Sequence, residues 1–109
     1  MKRVLFVCGK NRLRSPTAEQ VFSTWPGIEV GSAGVNADAD EILTGGMVSE
    51  ADLIFVMEKT HRAKLTRRFK VQLKSARLIC LDIPDDYAFM DPELVRILEA
   101  RVPKFLPTI

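Results

Sequence analysis

Four short apolar stretches, RVLFV (3–7), IEVGSAG (28–34), DLIFVM (52–57) and ARLICL (76–81), divide this chain, and between them the apolar residues recur at helical rather than alternating spacing. A β-branched or aromatic run without polar interruption suits a strand covered on both faces. Ala18, Val21, Phe22 and Trp25 place one face of residues 16–25 against such a sheet, and KTHRAKLTRRF (59–69) reads as a helix with a basic outer face. Strand and helix therefore alternate from end to end, without repeats, low-complexity tracts or linkers. That order predicts an α/β architecture, a parallel sheet with helices on both faces. A length of 109 residues fits one domain, 1–109, with a single core.

Local signals mark where the helices begin and stop. Ser15 and Pro16 read as N-cap and first helical residue, and Pro26-Gly27 ends that helix. Asp91, Pro92 and Glu93 repeat the start signal, with an acid favourable to the helix dipole. Val95, Leu98, Val102 and Phe105 then line one face, which Pro103 should kink or shorten. Residues 35–50 are harder to read: DEILTGGMVSE has helical apolar spacing, but Gly45-Gly46 in its middle weakens any long helix.

The totals narrow the function classes. Apolar residues make up 47% and charged residues 28%, the balance of a globular rather than a disordered chain. A net charge of +2 gives no whole-molecule field of the kind that marks nucleic-acid or membrane binders. The sequence has neither a run near the roughly 20 apolar residues of a membrane span nor a signal-peptide pattern, so a cytoplasmic protein is expected. Cys8 and Cys80 are then expected to be reduced thiols. His61 is the sole histidine, and with no ligand cluster around it neither a metal nor a cofactor is expected. The basic segment EKTHRAKLTRRFKVQLK has only Phe69 for base stacking, so a solvated helix face is preferred to a nucleic-acid surface.

The first strand ends at Cys8, and Gly9, Lys10, Asn11, Arg12 and Leu13 separate it from Arg14 and Ser15 at the opening of a helix. In a parallel α/β sheet, ligands bind outside the carboxyl ends of the strands. A loop at that place can turn successive backbone N–H groups inward, forming an anion nest with the positive end of a helix behind it. The same surroundings favour thiolate over thiol and make Cys8 a candidate nucleophile. Arg14 is placed to grip two phosphate oxygens with its planar fork, and Ser15 to donate its hydroxyl to the sulfur. A cysteine closing a strand is often only a small apolar residue; strand, C-x5-R-S-P and amphipathic helix in register favour anion binding.

VLFVCGKNRLRSPTAE resembles the signature of the low-molecular-weight protein tyrosine phosphatases, and the likeness continues through VGSAG (30–34), ADLIFVME (51–58) and IPDDY (83–87). The resemblance implies a three-layer sandwich with a four-stranded parallel sheet in the order 2-1-3-4, the phosphotyrosine protein phosphatase I-like fold. It implies metal-independent hydrolysis of phosphate monoesters, above all phosphotyrosine in proteins, through a cysteinyl-phosphate. Cys8 then matches the nucleophile, Arg14 the phosphate-gripping arginine, Ser15 the serine bonded to the thiolate, and Gly9 to Leu13 the rest of the phosphate loop. Asn11 and Ser32 match polar residues that hold the loop in shape. Asp85 matches the general acid, with Asp86, where the family usually has proline, as its substitute. Tyr87 is the obvious candidate for an aromatic pocket wall, and the implied partners are phosphorylated proteins or small phosphomonoesters.

The chain departs from the family at three loop positions. Lys10 stands where glycine is usual and carries strain if that position needs a positive φ. Arg12 replaces an apolar residue, adding positive charge at the mouth, and Leu13 replaces a frequent second cysteine. The chain is also shorter than typical relatives between Gly34 and Ala51. An arsenate reductase-like enzyme needs a resolving thiol, for which only Cys80 is available, and burial in its strand makes Cys80 core instead. A phosphate- or phosphoprotein-sensing module with the nest but no turnover is the non-enzymatic alternative.

Overall fold

A computed structural model describes residues 1–74 and 76–107. Its elements are β1 (Lys2–Cys8), α1 (Arg14–Phe22), β2 (Ile28–Gly34), α2 (Gly45–Glu50), β3 (Leu53–Val56), α3 (Lys59–Arg68), β4 (Arg77–Cys80) and α4 (Pro92–Arg101), with single 3-10 turns at Gln72–Lys74 and Pro103–Phe105. The four strands form one parallel sheet in the order β2-β1-β3-β4, as the family resemblance implies.

Alternation along β1 shows why that strand is apolar throughout. Val4, Phe6 and Cys8 face one side, where Ala18 and Phe22 of α1 and Leu94 and Leu98 of α4 cover them. Leu5 and Val7 face the other, under Val48 of α2 and Leu65 of α3. Every side chain from Val4 to Cys8 is thus out of water, at roughly 1.5–3 kcal/mol for each large apolar residue. On the first face Phe6 stacks between Phe22 and Phe55 at centroid distances of 5.7 and 5.3 Å. Among the described residues no helix is long and apolar enough to cross a membrane.

Two helix starts differ from the sequence reading. α1 begins at Arg14 with Leu13 in the cap position and no capping side chain, so Ser15 lies inside the helix and is not its N-cap. Its hydroxyl is committed elsewhere, as described below. The same helix stops at Phe22, short of Trp25, which nevertheless packs edge-on against Phe22 and donates its indole N–H to Pro107 O. In the ambiguous segment, α2 starts at the glycine pair itself, and the Thr44 hydroxyl accepts from Met47 N–H as its cap. Glycine is costly in a helix interior, but here both residues occupy the first turn. α4 follows its signals, capped by Asp91, opened by Pro92 and ended just before Pro103.

Candidate active site

The carboxyl end of β1 sits between those of β2 and β3, so three segments distant in sequence meet around Cys8. The loop after β1 curls because Asn11 adopts the left-handed conformation, φ 58°, which asparagine tolerates better than most residues. Lys10 is not among the positive-φ residues, so the strain considered for a lysine at that position does not arise. With Asn11 so turned, its backbone N–H points at Cys8 Sγ, 3.2 Å away, and its side-chain amide donates to Ser15 Oγ at 2.9 Å. Ser15 Oγ lies 3.0 Å from the sulfur. Since this oxygen already accepts from Asn11, its own hydrogen is free to point at Cys8, and two donors converge on one buried sulfur.

The chain beyond β2 braces the loop from behind. Val35, Asn36 and Asp40 donate backbone N–H groups to the carbonyls of Cys8, Gly9 and Lys10 at 2.9–3.0 Å. Gly34 permits this approach: a Cβ there would stand 2.5 Å from Gly9 O and 2.5 Å from the Ala39 Cβ. Lys10 and Arg12 reach sideways to Asp38 and Asp40, so the charge that Arg12 brings to the mouth is countered by Asp40 at 3.1 Å.

Arg14 is 5% exposed and held on several sides. One terminal nitrogen donates to Ile83 O at 2.8 Å and also pairs with Glu58, while its Nε lies 3.6 Å from Asp85 Oδ1. Glu58 caps α3 at the carboxyl end of β3, and its backbone N–H donates to Nδ1 of His61 at 3.1 Å. An accepting Nδ1 means that imidazole is neutral, with its proton on Nε2. Burial and then the nearby Arg14 guanidinium lower the His61 pKa. His61 and Asn36 press on the loop backbone from outside, the first 3.6 Å and the second 3.2 Å from where a Gly9 Cβ would stand.

Together these residues line a cleft of about 370 Å³ with Cys8 and Arg14 buried at its floor and Glu58 and Asp85 on its wall. A smaller cleft of about 190 Å³, between Arg3, Glu29 and Glu50, contains neither cysteine nor histidine. No group of three or more metal-ligating side chains occurs among the described residues.

The sequence matches no protein-family model and no curated protein, whereas the structure has many counterparts. It superposes on the YwlE arginine phosphatase of Geobacillus stearothermophilus with a TM-score of 0.77 at 22% identity, over 96% of this chain and 93% of that one. Vibrio vulnificus Wzb, solved with benzylphosphonate, gives 0.70 at 27% identity over 90% of each chain. SP-PTP, a low molecular weight protein tyrosine phosphatase from Streptococcus pyogenes, gives 0.76 at 16% identity over 99% and 95%.

The chain has the low-molecular-weight protein tyrosine phosphatase fold.

Within that phosphatase fold the sequence candidates divide. Cys8, Gly9, Lys10, Arg12, Leu13, Arg14 and Asp85 all line the cleft, and Asn11 and Ser15 support it from below. Ser32 instead donates to Glu19 and makes no hydrogen bond to the loop. Asp86 is exposed and Tyr87 is partly buried against the core on the α1 and α4 face of the sheet, neither of them lining the cleft. Cys80 is half-buried rather than core, donates to Asp82 Oδ1 at 3.4 Å, and has its thiol pKa pushed up chiefly by burial. Glu58, His61 and Asn36 are the cleft residues that sequence reasoning missed. Their one signal was position, each lying just past a strand that the order 2-1-3-4 places beside β1.

Proposed function

We propose that this chain is a cysteine-dependent phosphatase that hydrolyses phosphate monoesters, phosphotyrosine in proteins among them, without a metal. The observation that carries the reading is the convergence of the Asn11 amide and the Ser15 hydroxyl on Cys8 Sγ beside the buried Arg14 guanidinium. Cys8 attacks phosphorus, forming an S–P bond as the P–O bond to the leaving group breaks. Loop amides and Arg14 hold the equatorial oxygens, and Asp85 supplies the proton to the departing oxygen. Water, deprotonated by the same aspartate, then attacks phosphorus and the S–P bond breaks, returning Cys8 as thiolate and releasing phosphate.

Two further facts support this reading against its rivals. Solved proteins of this fold include tyrosine phosphatases, and one of them holds phosphate. Cys80 lies on β4, beyond β3, and packs on the opposite face of the sheet from Cys8. Two strand spacings of about 4.8 Å exceed what a disulfide spans, which argues against the arsenate reductase-like chemistry. Phosphoarginine is a second reading for the same site, favoured by the Glu58 and Asp85 carboxylates in the cleft lining and by a lining with no aromatic ring except His61.

The test is release of phosphate from p-nitrophenyl phosphate, phosphotyrosine peptide and phosphoarginine in excess chelator, with iodoacetamide alkylation of Cys8 followed with and without vanadate. The expected result is chelator-resistant turnover and vanadate protection. A chain that binds vanadate at Cys8 but turns over none of the three is a sensor, and the catalytic reading then falls. Arg14→Lys is expected to lower kcat about 10²–10³-fold, as for loss of a donor that stabilises transition-state charge, because a point cation cannot span two oxygens while answering Ile83 O.

A further inference from the structure

The positive charge of this chain is not spread over its surface. Residues 59–70 contain Lys59, Arg62, Lys64, Arg67, Arg68 and Lys70 and no acidic residue, so the rest of the chain, where every acid lies, is net negative against an overall +2. All six are exposed. None of them has a carboxylate within ion-pair distance among the described residues, whereas Arg3, Lys10, Arg12, Arg14 and Arg96 all do. Leu65 and Phe69 turn α3 to the core, which leaves Lys59, Ala63 and Arg67, spaced four apart, along the opposite face. Five such cations on α3, with Lys70 just beyond its end, repel one another, and an anionic occupant removes that repulsion.

The helix that carries these cations starts at the rim of the cleft. Glu58 and His61, at the start of α3, line it, and Lys64 donates to Oδ1 of Asn36, another lining residue, at 3.1 Å. Ten helical residues run about 15 Å away from the rim, the span of roughly five residues of extended peptide. Stacking of nucleic-acid bases would need exposed rings, but Phe69, the segment's aromatic residue, is buried under α3.

We infer that the exposed face of α3 is a docking surface for an acidic stretch of the phosphorylated polypeptide whose phosphoryl group enters the cleft. This rests on the phosphatase reading for the cleft itself. Electrostatic complementarity of this kind raises the encounter rate and selects partners more than it adds affinity.

Two phosphotyrosine peptides of equal length test it, one with glutamates about four to eight residues from the phosphorylated position and the other with serines there. The acidic peptide should have the higher kcat/KM, by about tenfold at low salt, and should lose that advantage near 0.5 M salt, where the screening length is roughly 4 Å. The triple variant K59E/R62E/R67E should abolish the preference, and its neutral counterpart K59Q/R62Q/R67Q should reduce it, both with p-nitrophenyl phosphate turnover unchanged. Equal kcat/KM for the two peptides in the wild type, or a preference that survives charge reversal, overturns the proposal. Fluorescence anisotropy of the labelled acidic peptide carries the same comparison without turnover, so a chain that hydrolyses nothing loses the catalytic reading while docking is still decided on affinity. Tighter binding of a single-stranded oligonucleotide than of the acidic peptide, removed by charge reversal, overturns it in favour of nucleic acid.

Discussion

Cys8→Ser is expected to reduce p-nitrophenyl phosphate hydrolysis to background, a loss of at least about 10⁴-fold, of the order seen when a nucleophile is removed. Serine keeps the shape but not the chemistry. Its hydroxyl, placed against the Ser15 hydroxyl and the Asn11 amide, has two hydrogen-bond donors beside it and no base. The variant should still bind tungstate, because Arg14 and the loop amides remain, and isothermal calorimetry with tungstate separates lost chemistry from a lost site. Persistent turnover by Cys8→Ser would remove the covalent step from the mechanism, and loss of both turnover and tungstate binding would show only that the loop had collapsed.

Asp85→Asn should lower kcat by about 10²–10⁴, the range for a positioned general acid, with the loss larger for phenyl phosphate than for p-nitrophenyl phosphate because nitrophenolate needs little help in leaving. Asp85 stands 3.6 Å from Arg14 Nε on the cleft wall, whereas Asp86 is exposed and does not line the cleft. The pH–rate profiles decide between them. In the wild type, activity falls on the alkaline side as the acid loses its proton; Asp85→Asn should flatten that limb, and Asp86→Asn should keep it with kcat within a few-fold. The reverse pattern would transfer the role to Asp86. Asp85 is 65% exposed and Asp86 is exposed as well, so neither substitution should change the unfolding free energy from urea titration by more than about 0.5 kcal/mol, which keeps the kinetic reading clean.

The sheet was legible in the sequence because its strands carry almost no conflicting signal: Leu53 to Val56 and Val4 to Cys8 are apolar on both faces and admit one interpretation. Boundaries failed where a side chain had two possible employments. Ser15 followed by proline is a strong capping signal, but its hydroxyl serves the cysteine and the helix begins two residues earlier, at Arg14 rather than Pro16. The glycine pair at 45–46 would be costly in a helix interior but sits in a first turn capped by Thr44. The loop's left-handed residue is Asn11 rather than Lys10, a distinction that spacing alone does not carry. Glu58 was out of reach for a different reason: its pairing with Arg14 spans two elements and exists only once β3 lies beside β1.

The turn at Asn11 bears on how fast this site can work. Because the left-handed backbone is fastened by bonds from Asn11 to Cys8 and Ser15, and the carbonyl side by Val35, Asn36 and Asp40, the entropy lost in curling residues 8–15 is charged to folding and not to each encounter with a phosphoester. Preorganisation of this sort couples the two properties: a substitution that loosens the bend, such as Asn11→Ala, weakens catalysis and global stability together, and the site inherits whatever rigidity the central strand has.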